Sequence, residues 1–142
     1  MKVRDLIERF QRKAITAKVD ETIRTVANRM VENRIGAVAV VGPDGSSMVG
    51  LLSERDVMRA ISEYPYEVAD LSIGQYATTR LRTCTQDDEA ADVLATMLGQ
   101  GFRHMPVVRD GIAKEDATSG DHLVAVLSIK DLAQALILEK PS

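Results

Sequence analysis

Apolar residues along this chain fall into short blocks whose spacing alternates between the helical and the extended period, and the same order of blocks occurs twice. Ile23, Val26, Ala27, Met30 and Val31 recur at the three- and four-residue spacing that lines one helix face, with Asp20 or Glu21 placed to cap it. That helix is expected to end between Asn33 and Gly36. Ala37 to Val41 is a continuous apolar run bounded by Gly36 and by Gly42-Pro43-Asp44-Gly45, the pattern of a buried strand entering a tight turn. Met48 to Leu52 then reads as the return strand of a hairpin. After Ser53, the positions of Asp56, Val57, Met58, Ala60 and Ile61 predict a second helix. It fades at Glu63-Tyr64-Pro65, because proline disfavours helix in the residue before it.

The second pass predicts an extended piece from Leu81 to Cys84, a helix over 87–98, strands over 105–108 and 123–127, and a helix over 129–138. Between the strands, Arg109 to His122 is polar and acidic with Gly111 and Gly120, and is expected to be an exposed, mobile hairpin loop. Each half therefore reads as β-α-β-β-α, which makes the fold class α+β.

The repetition extends to residue identity. Gly50-Leu51-Leu52-Ser53-Glu54-Arg55-Asp56-Val57 recurs 75 positions on as Ala125-Val126-Leu127-Ser128-Ile129-Lys130-Asp131-Leu132. Residues 20–30 match 87–97 at an offset of 67, as Thr16 matches Thr83 and Ala37-Val38-Ala39-Val40-Val41 matches His104-Met105-Pro106-Val107-Val108. The two offsets differ by eight residues, all in the second hairpin loop. Two similar units thus occupy most of the chain. We place the first at 11–64 and the second at 78–138, with a flank at 1–10, a linker at 65–77 and a tail at 139–142.

Size constrains how the units can fold. With 142 residues, each half alone sits near the size at which a private core is marginal, so the halves are expected to share one core in a single module. A composition of 45% hydrophobic and 27% charged residues is ordinary for a globular protein, and no apolar run approaches the ~18 to 20 residues that span a bilayer. The N-terminus lacks the apolar stretch of a secretory signal, so a cytoplasmic location is expected. The single cysteine, Cys84, cannot form an internal disulfide. A net charge of -3, a pI near 5.4, no Trp and two Phe argue against nucleic acid as the main partner.

The candidate chemistry lies where strand turns into helix, at Ser53 and Ser128. Free backbone N–H groups, a hydroxyl and a nearby basic side chain converge there, an arrangement that suits phosphate. Asp56 and Asp131 follow one turn along, where an ionised carboxylate could accept hydrogen bonds from a ribose diol. A nucleotide is the ligand these residues suggest. Equally, Ser53 and Ser128 are good N-caps, and an acid in the first turn satisfies the helix dipole without any ligand.

The halves resemble a tandem pair of CBS domains, the regulatory modules named after cystathionine β-synthase, over roughly residues 11 to 138. The resemblance is carried by Gly50-x-x-Ser53-x-x-Asp56, by Arg34-Ile35-Gly36-Ala37-Val38-Ala39-Val40-Val41, by Arg103-His104-Met105-Pro106-Val107-Val108 and by Ser128-x-x-Asp131. It implies an α/β sandwich in which two motifs pack as a pseudo-twofold pair and bind adenosine-containing ligands in the clefts between them. By this resemblance Asp56 and Asp131 hold ribose hydroxyls, and Ser53 and Ser128 contact ribose or phosphate. Arg55, Lys130, Arg103 and His104 meet phosphates. Thr16, Ala17, Thr83 and Cys84, with Ala37, Val38, Met105 and Pro106 on the strands, line the adenine pockets. Ala125 replaces the usual glycine and would crowd close backbone approach.

Arg103 and His104 stand where the first half has Gly36 and Ala37, so unequal occupancy of the clefts is expected. The pair is grouped with Ser128 and Asp131 as the better anion trap. His104 could instead be a structural hydrogen-bonding group, and a metal role has no partner spacing to support it. Cys84 is expected to pack or to line a ligand, and Met30, Met58, Met97 and Met105 to fill the core. The charged pair Glu115-Asp116 reads as solvated loop.

The leading functional expectation is a non-catalytic sensor of AMP, ADP, ATP or NAD(H), with S-adenosylmethionine disfavoured by the Arg103-His104 pair. Tandem motifs and short flanks use up the chain, so its output is expected to lie in another molecule. CBS pairs associate through helical faces, which implies a homodimer. Val57, Ile61, Leu132, Ala135 and Leu136 could form that surface or simply close the core. The alternatives are a ligand-independent interaction module that regulates an enzyme or transporter, and a small nucleotide-processing enzyme, which would require turnover.

Overall fold

A computed structural model describes residues 1–10, 14–109 and 122–138. The elements run α1 (Val3–Phe10), β1 (Thr16–Lys18), α2 (Ile23–Asn33), β2 (Ala37–Val41), β3 (Met48–Ser53), α3 (Glu54–Glu63), β4 (Cys84–Thr85), α4 (Ala90–Gln100), β5 (His104–Val108), β6 (Leu123–Ser128) and α5 (Ile129–Ala133). Each half is thus β-α-β-β-α, as its apolar spacing predicts. Two three-stranded sheets result, β1-β2-β3 and β4-β5-β6, each with a parallel first pair and an antiparallel second pair. The ladders even share an irregularity, at Val40/Val41 and at Val107/Val108.

The expected shared core is divided in three. One cluster lies within the first half around Val26, Val38, Leu52 and Ala60, and another within the second around Val93, Met97, Met105 and Leu127. A smaller one joins the halves, with Ala37, Met48, Leu51, Leu81 and Val108 buried together. The hairpins also meet directly, as Leu123 N–H donates to Ser46 O at 3.0 Å.

Both segments expected to flank or link the motifs are structural. Helix α1 buries Val3 and Leu6 in the core of the second half, and Val3 N–H donates to Asp88 O at 2.9 Å. The chain after α3 forms 3₁₀ turns at Val68–Asp70 and Ile73–Gln75, and buries Ile73 and Tyr76 in the first core. It then crosses β3, where Leu51 and Thr78 exchange backbone hydrogen bonds of 2.9 and 2.8 Å.

Several local expectations shift. Thr22, not Asp20 or Glu21, caps α2, its hydroxyl accepting from Thr25 N–H at 3.2 Å. Glu21 is drawn instead to Arg29, whose guanidinium grips both of its carboxylate oxygens at 2.6 and 2.9 Å. Val31 is 76% exposed and Met58 69% exposed, so neither fills the core. Met30, Met97 and Met105 are buried. Beyond Ala133 the final helix widens into a π-helix over Gln134–Leu138, with Leu132 and Ala135 buried and Ile137 exposed. Arg109 N–H and His122 O pair at 2.8 Å. The loop between them, including Glu115 and Asp116, lies outside the described residues.

Candidate functional site

Both strand-to-helix turns close into reciprocal capping boxes. Ser53 has extended backbone, its hydroxyl accepts from Asp56 N–H at 3.3 Å, and Asp56 Oδ2 accepts from Ser53 N–H at 2.9 Å. At the second turn Ser128 Oγ accepts from Asp131 N–H at 3.0 Å, and Asp131 Oδ2 accepts from Ser128 N–H at 3.1 Å. The capping role read from sequence is therefore real at both turns. It leaves room for another, because a carboxylate has about four lone-pair sites.

Asp56 uses those sites unevenly. Its Oδ2 takes the two groups of Ser53, while the Thr78 hydroxyl is shared between Oδ1 at 3.3 Å and Oδ2 at 3.4 Å, and Oδ1 lies 3.4 Å from an Arg59 guanidinium nitrogen. The Thr78 and Arg59 contacts are long, so a pair of ligand hydroxyls could replace them at small cost. Arg59 keeps other anchors, donating to Tyr76 O at 3.1 Å and stacking 5.5 Å from the Tyr76 ring centroid.

Asp56 opens onto a cleft of about 780 Å³ between the halves, within the range that holds small ligands. One wall is the start of α3, with Ser53, Glu54, Arg55, Asp56, Met58 and Arg59. A second is the segment that crosses β3, with Thr78, Arg80, Leu81 and Arg82. Phe102, Arg103, His104 and Pro106 from the second half form the third. Five arginines face two carboxylates here, so the cleft is electropositive in a chain whose net charge is -3.

His104 sits at the junction. A Cβ built on Gly36 would lie 3.2 Å from its Cε1 and would collide with the Glu54 carboxylate. Burial holds the His104 pKa below its ordinary value, and Arg103 adds to that, while the carboxylates of Glu54 and Asp131 pull it up. Phosphate placed beside the ring would favour the protonated form.

Of the residues singled out from sequence, Ser53, Arg55, Asp56, Arg103, His104 and Pro106 meet in this cleft. Arg103 and His104 lie near both turns: Ile129 N–H donates to Arg103 O at 2.8 Å, and the Asp131 carboxylate acts on His104. His104 pairs with Ser128 across the β5–β6 ladder, but its side chain lines the cleft of Ser53 and Asp56. Arg103 and His104 from the second half thus stand in the wall of the cleft that holds the Ser-x-x-Asp motif of the first. Thr83, Cys84 and Met105 line a separate pocket of about 150 Å³, shared with Arg82. Ala17 and Val38 are buried in the first core and Ala37 in the joining cluster, with Thr16 beside them on β1. Lys130 lies in the first turn of α5. Burial pushes the Cys84 thiol up to about 12, helped by Asp88, which removes the thiolate a nucleophile needs.

Thr78, Arg80 and Arg82 were missed. Arg80 and Arg82 flank buried Leu81 at strand spacing, a signal present in the sequence but weak over so few residues. The site glycine also gains a reason: a Cβ on Gly50 would lie 3.1 Å from Thr78 O, so Gly50 admits the crossing segment. Ala125 takes its place in the second half and is fully buried, while the counterpart of Thr78 at the 67-residue offset, Gln11, lies outside the described residues.

This architecture, two β-α-β-β-α units with a cleft between them, defines a tandem two-motif module. The CBS domain model matches residues 3–63 and 73–138, and the chain belongs to the CBS domain family. An uncharacterized 17.7 kDa protein of Acidianus ambivalens is 32% identical over 125 residues, spanning 88% of this chain and 68% of that one. Three further curated relatives are longer, and the match spans only 36%, 55% and 58% of their lengths. Among solved structures, the CBS-domain containing protein ATU1752 of Agrobacterium tumefaciens superposes with a TM-score of 0.82 at 28% identity, covering 96% of this chain and 100% of that one. The CBS domain protein PAE2072 of Pyrobaculum aerophilum, solved in complex with AMP, gives 0.79 at 27% identity, covering 98% and 97%. Among the described residues no helix is long and apolar enough to cross a membrane, and no cluster of His, Cys, Asp or Glu is arranged to hold a metal.

Proposed function

We propose that this chain is a non-catalytic regulatory module that binds an adenosine-containing nucleotide in the cleft of Ser53 and Asp56. The observation that carries the reading is the convergence, in one cavity of about 780 Å³, of a buried carboxylate suited to a diol and arginines suited to phosphate. The AMP complex of the similar Pyrobaculum protein supports it. Asp56 accepts the ribose hydroxyls in place of Thr78 and Arg59, Ser53 holds Asp56 in position, and Arg55, Arg103 and His104 meet phosphate. The turn of Ser128 and Asp131, with Lys130, is the weaker site, so occupancy is unequal.

Because the cleft is built from both halves, ligand binding favours one mutual arrangement and changes the affinity for a partner that distinguishes the two states. A second copy of the chain is the expected partner, with Ile61 and Ile137, at 47% and 67% exposure, available to it and Leu132 and Ala135 buried instead. Calorimetry of ligand-stripped protein against AMP, ADP, ATP and NAD(H) tests the reading. Binding of one or more, with competition among them, is expected. Failure of all to bind would leave a ligand-independent interaction module.

A further inference from the structure

We infer that the cleft of Ser53 and Asp56 selects its ligand by phosphate number, binding nucleoside di- and triphosphates in preference to monophosphates and to cationic adenosine compounds. The inference rests on the adenosine reading above and narrows it. Asp56 and Thr78, which meet at 3.3 Å, mark the ribose end. From there guanidiniums approach along three separate stretches of chain: Arg55 from the first turn of α3, Arg80 and Arg82 from the crossing segment, and Arg103 from the approach to β5. Arg55, Arg80 and Arg103 are held by no ion pair among the described residues, so their donors face the cleft uncommitted.

A terminal phosphate presents three peripheral oxygens, and two bidentate forks already engage all of them. The three guanidiniums of Arg55, Arg80 and Arg103, with Arg82 beside them, therefore exceed the two that engage a monophosphate. Glu54 is the one carboxylate on that side, beside Gly36 and His104. It leaves a net positive field that repels a sulfonium and rewards each added phosphate. The other half provides a contrast in the same chain. At the 67-residue offset Arg82 corresponds to Ile15 and Arg103 to Gly36, whereas Arg80 corresponds to Lys13 and, at the 75-residue offset, Arg55 to Lys130, so two of the four charges have no counterpart in the other half.

The test is calorimetry of the full chain, in metal-free buffer at several salt concentrations, against adenosine, AMP, ADP, ATP and inorganic triphosphate. ATP is expected to bind about tenfold or more tightly than AMP, since each added charged hydrogen bond contributes about a decade. Its affinity should also fall more steeply with salt. The double variant Arg80→Gln/Arg103→Gln, with its melting temperature checked for folding, should close the gap between ATP and AMP. Equal affinities for AMP and ATP, or a gap unchanged in the double variant, would overturn the selection while leaving adenosine binding in place. Failure of every adenosine compound, with or without binding of inorganic triphosphate, overturns the adenosine reading and this inference together.

Discussion

His104 of the second half packs its imidazole edge over Gly36 of the first, close enough that a Cβ on Gly36 would sit 3.2 Å from His104 Cε1 and 3.3 Å from Nε2. The same point is occupied by the end of the Glu54 side chain, which is exposed and free to turn away. Gly36→Ala should therefore change stability by less than about 1 kcal/mol while displacing His104 and lowering nucleotide affinity. Gly50→Ala differs, because its Cβ would meet the backbone oxygen of Thr78 at 3.1 Å. That variant should lose about 1 to 3 kcal/mol, since the crossing segment cannot yield as a side chain does. Urea unfolding of both, beside calorimetry, checks the contrast; a larger stability loss in Gly36→Ala than in Gly50→Ala would refute it.

His104 also sets a pH dependence. Its pKa in the folded protein lies below the ordinary 6.5, chiefly through burial, although Glu54 and Asp131 oppose the shift. The unfolded chain therefore binds the proton first, and the folded state loses stability as the pH falls through about 6.5 toward the folded value. His104→Gln should flatten this part of the stability profile between about pH 7 and 5. Nucleotide binding should run the other way and strengthen in the same window, because phosphate favours the imidazolium. Denaturant titrations across pH, with and without ligand, read both signs.

Arg34 ends α2 in the left-handed conformation at φ 54°, whereas Gly101 ends α4 at φ 76°. The two are counterparts at the 67-residue offset, so the fold demands the same conformation twice and glycine meets it once. Arg34→Gly should stabilise the protein by about 1 kcal/mol by removing the Cβ clash of the left-handed region. A higher urea midpoint with an unchanged slope is the expected result, and a lower midpoint would mean that the Arg34 side chain contributes more than its backbone costs.

What the sequence made legible was whatever repeats locally. The spacing around Val26 and Met30, the run from Ala37 to Val41 and the Ser-x-x-Asp turns fix their elements through near neighbours, and these match. The misplacements all concern contacts between distant segments. Val31 and Met58 carry helical apolar spacing yet face outward, because periodicity gives a stripe but not its edges. Helix α1 reads as a mere flank because the surface that buries Val3 and Leu6 belongs to the other half of the chain. For the same reason the approach of Arg103 and His104 to the Ser53 and Asp56 turn is invisible in local spacing. The cleft is made by crossing the halves, and Thr78, Arg80 and Arg82 enter it from a segment with little periodicity of its own.

That crossing makes the two equivalent aspartates separable by experiment. Asp56 and Asp131 each close a capping box, so Asp56→Ala and Asp131→Ala should each cost about 0.5 to 2 kcal/mol of stability. Their effects on ligand should differ, because only Asp56 stands in the wall of the arginine-lined cleft and receives the Thr78 hydroxyl. Asp56→Ala should weaken nucleotide binding by about 1 to 3 kcal/mol, through loss of ribose hydrogen bonds. Asp131→Ala should leave the tightest binding step near its original affinity and remove any second, weaker step. Calorimetry resolves the steps: equal losses from the two variants would mean that the clefts bind alike, and a greater loss from Asp131→Ala would place the tight site at Ser128 despite its fewer guanidiniums.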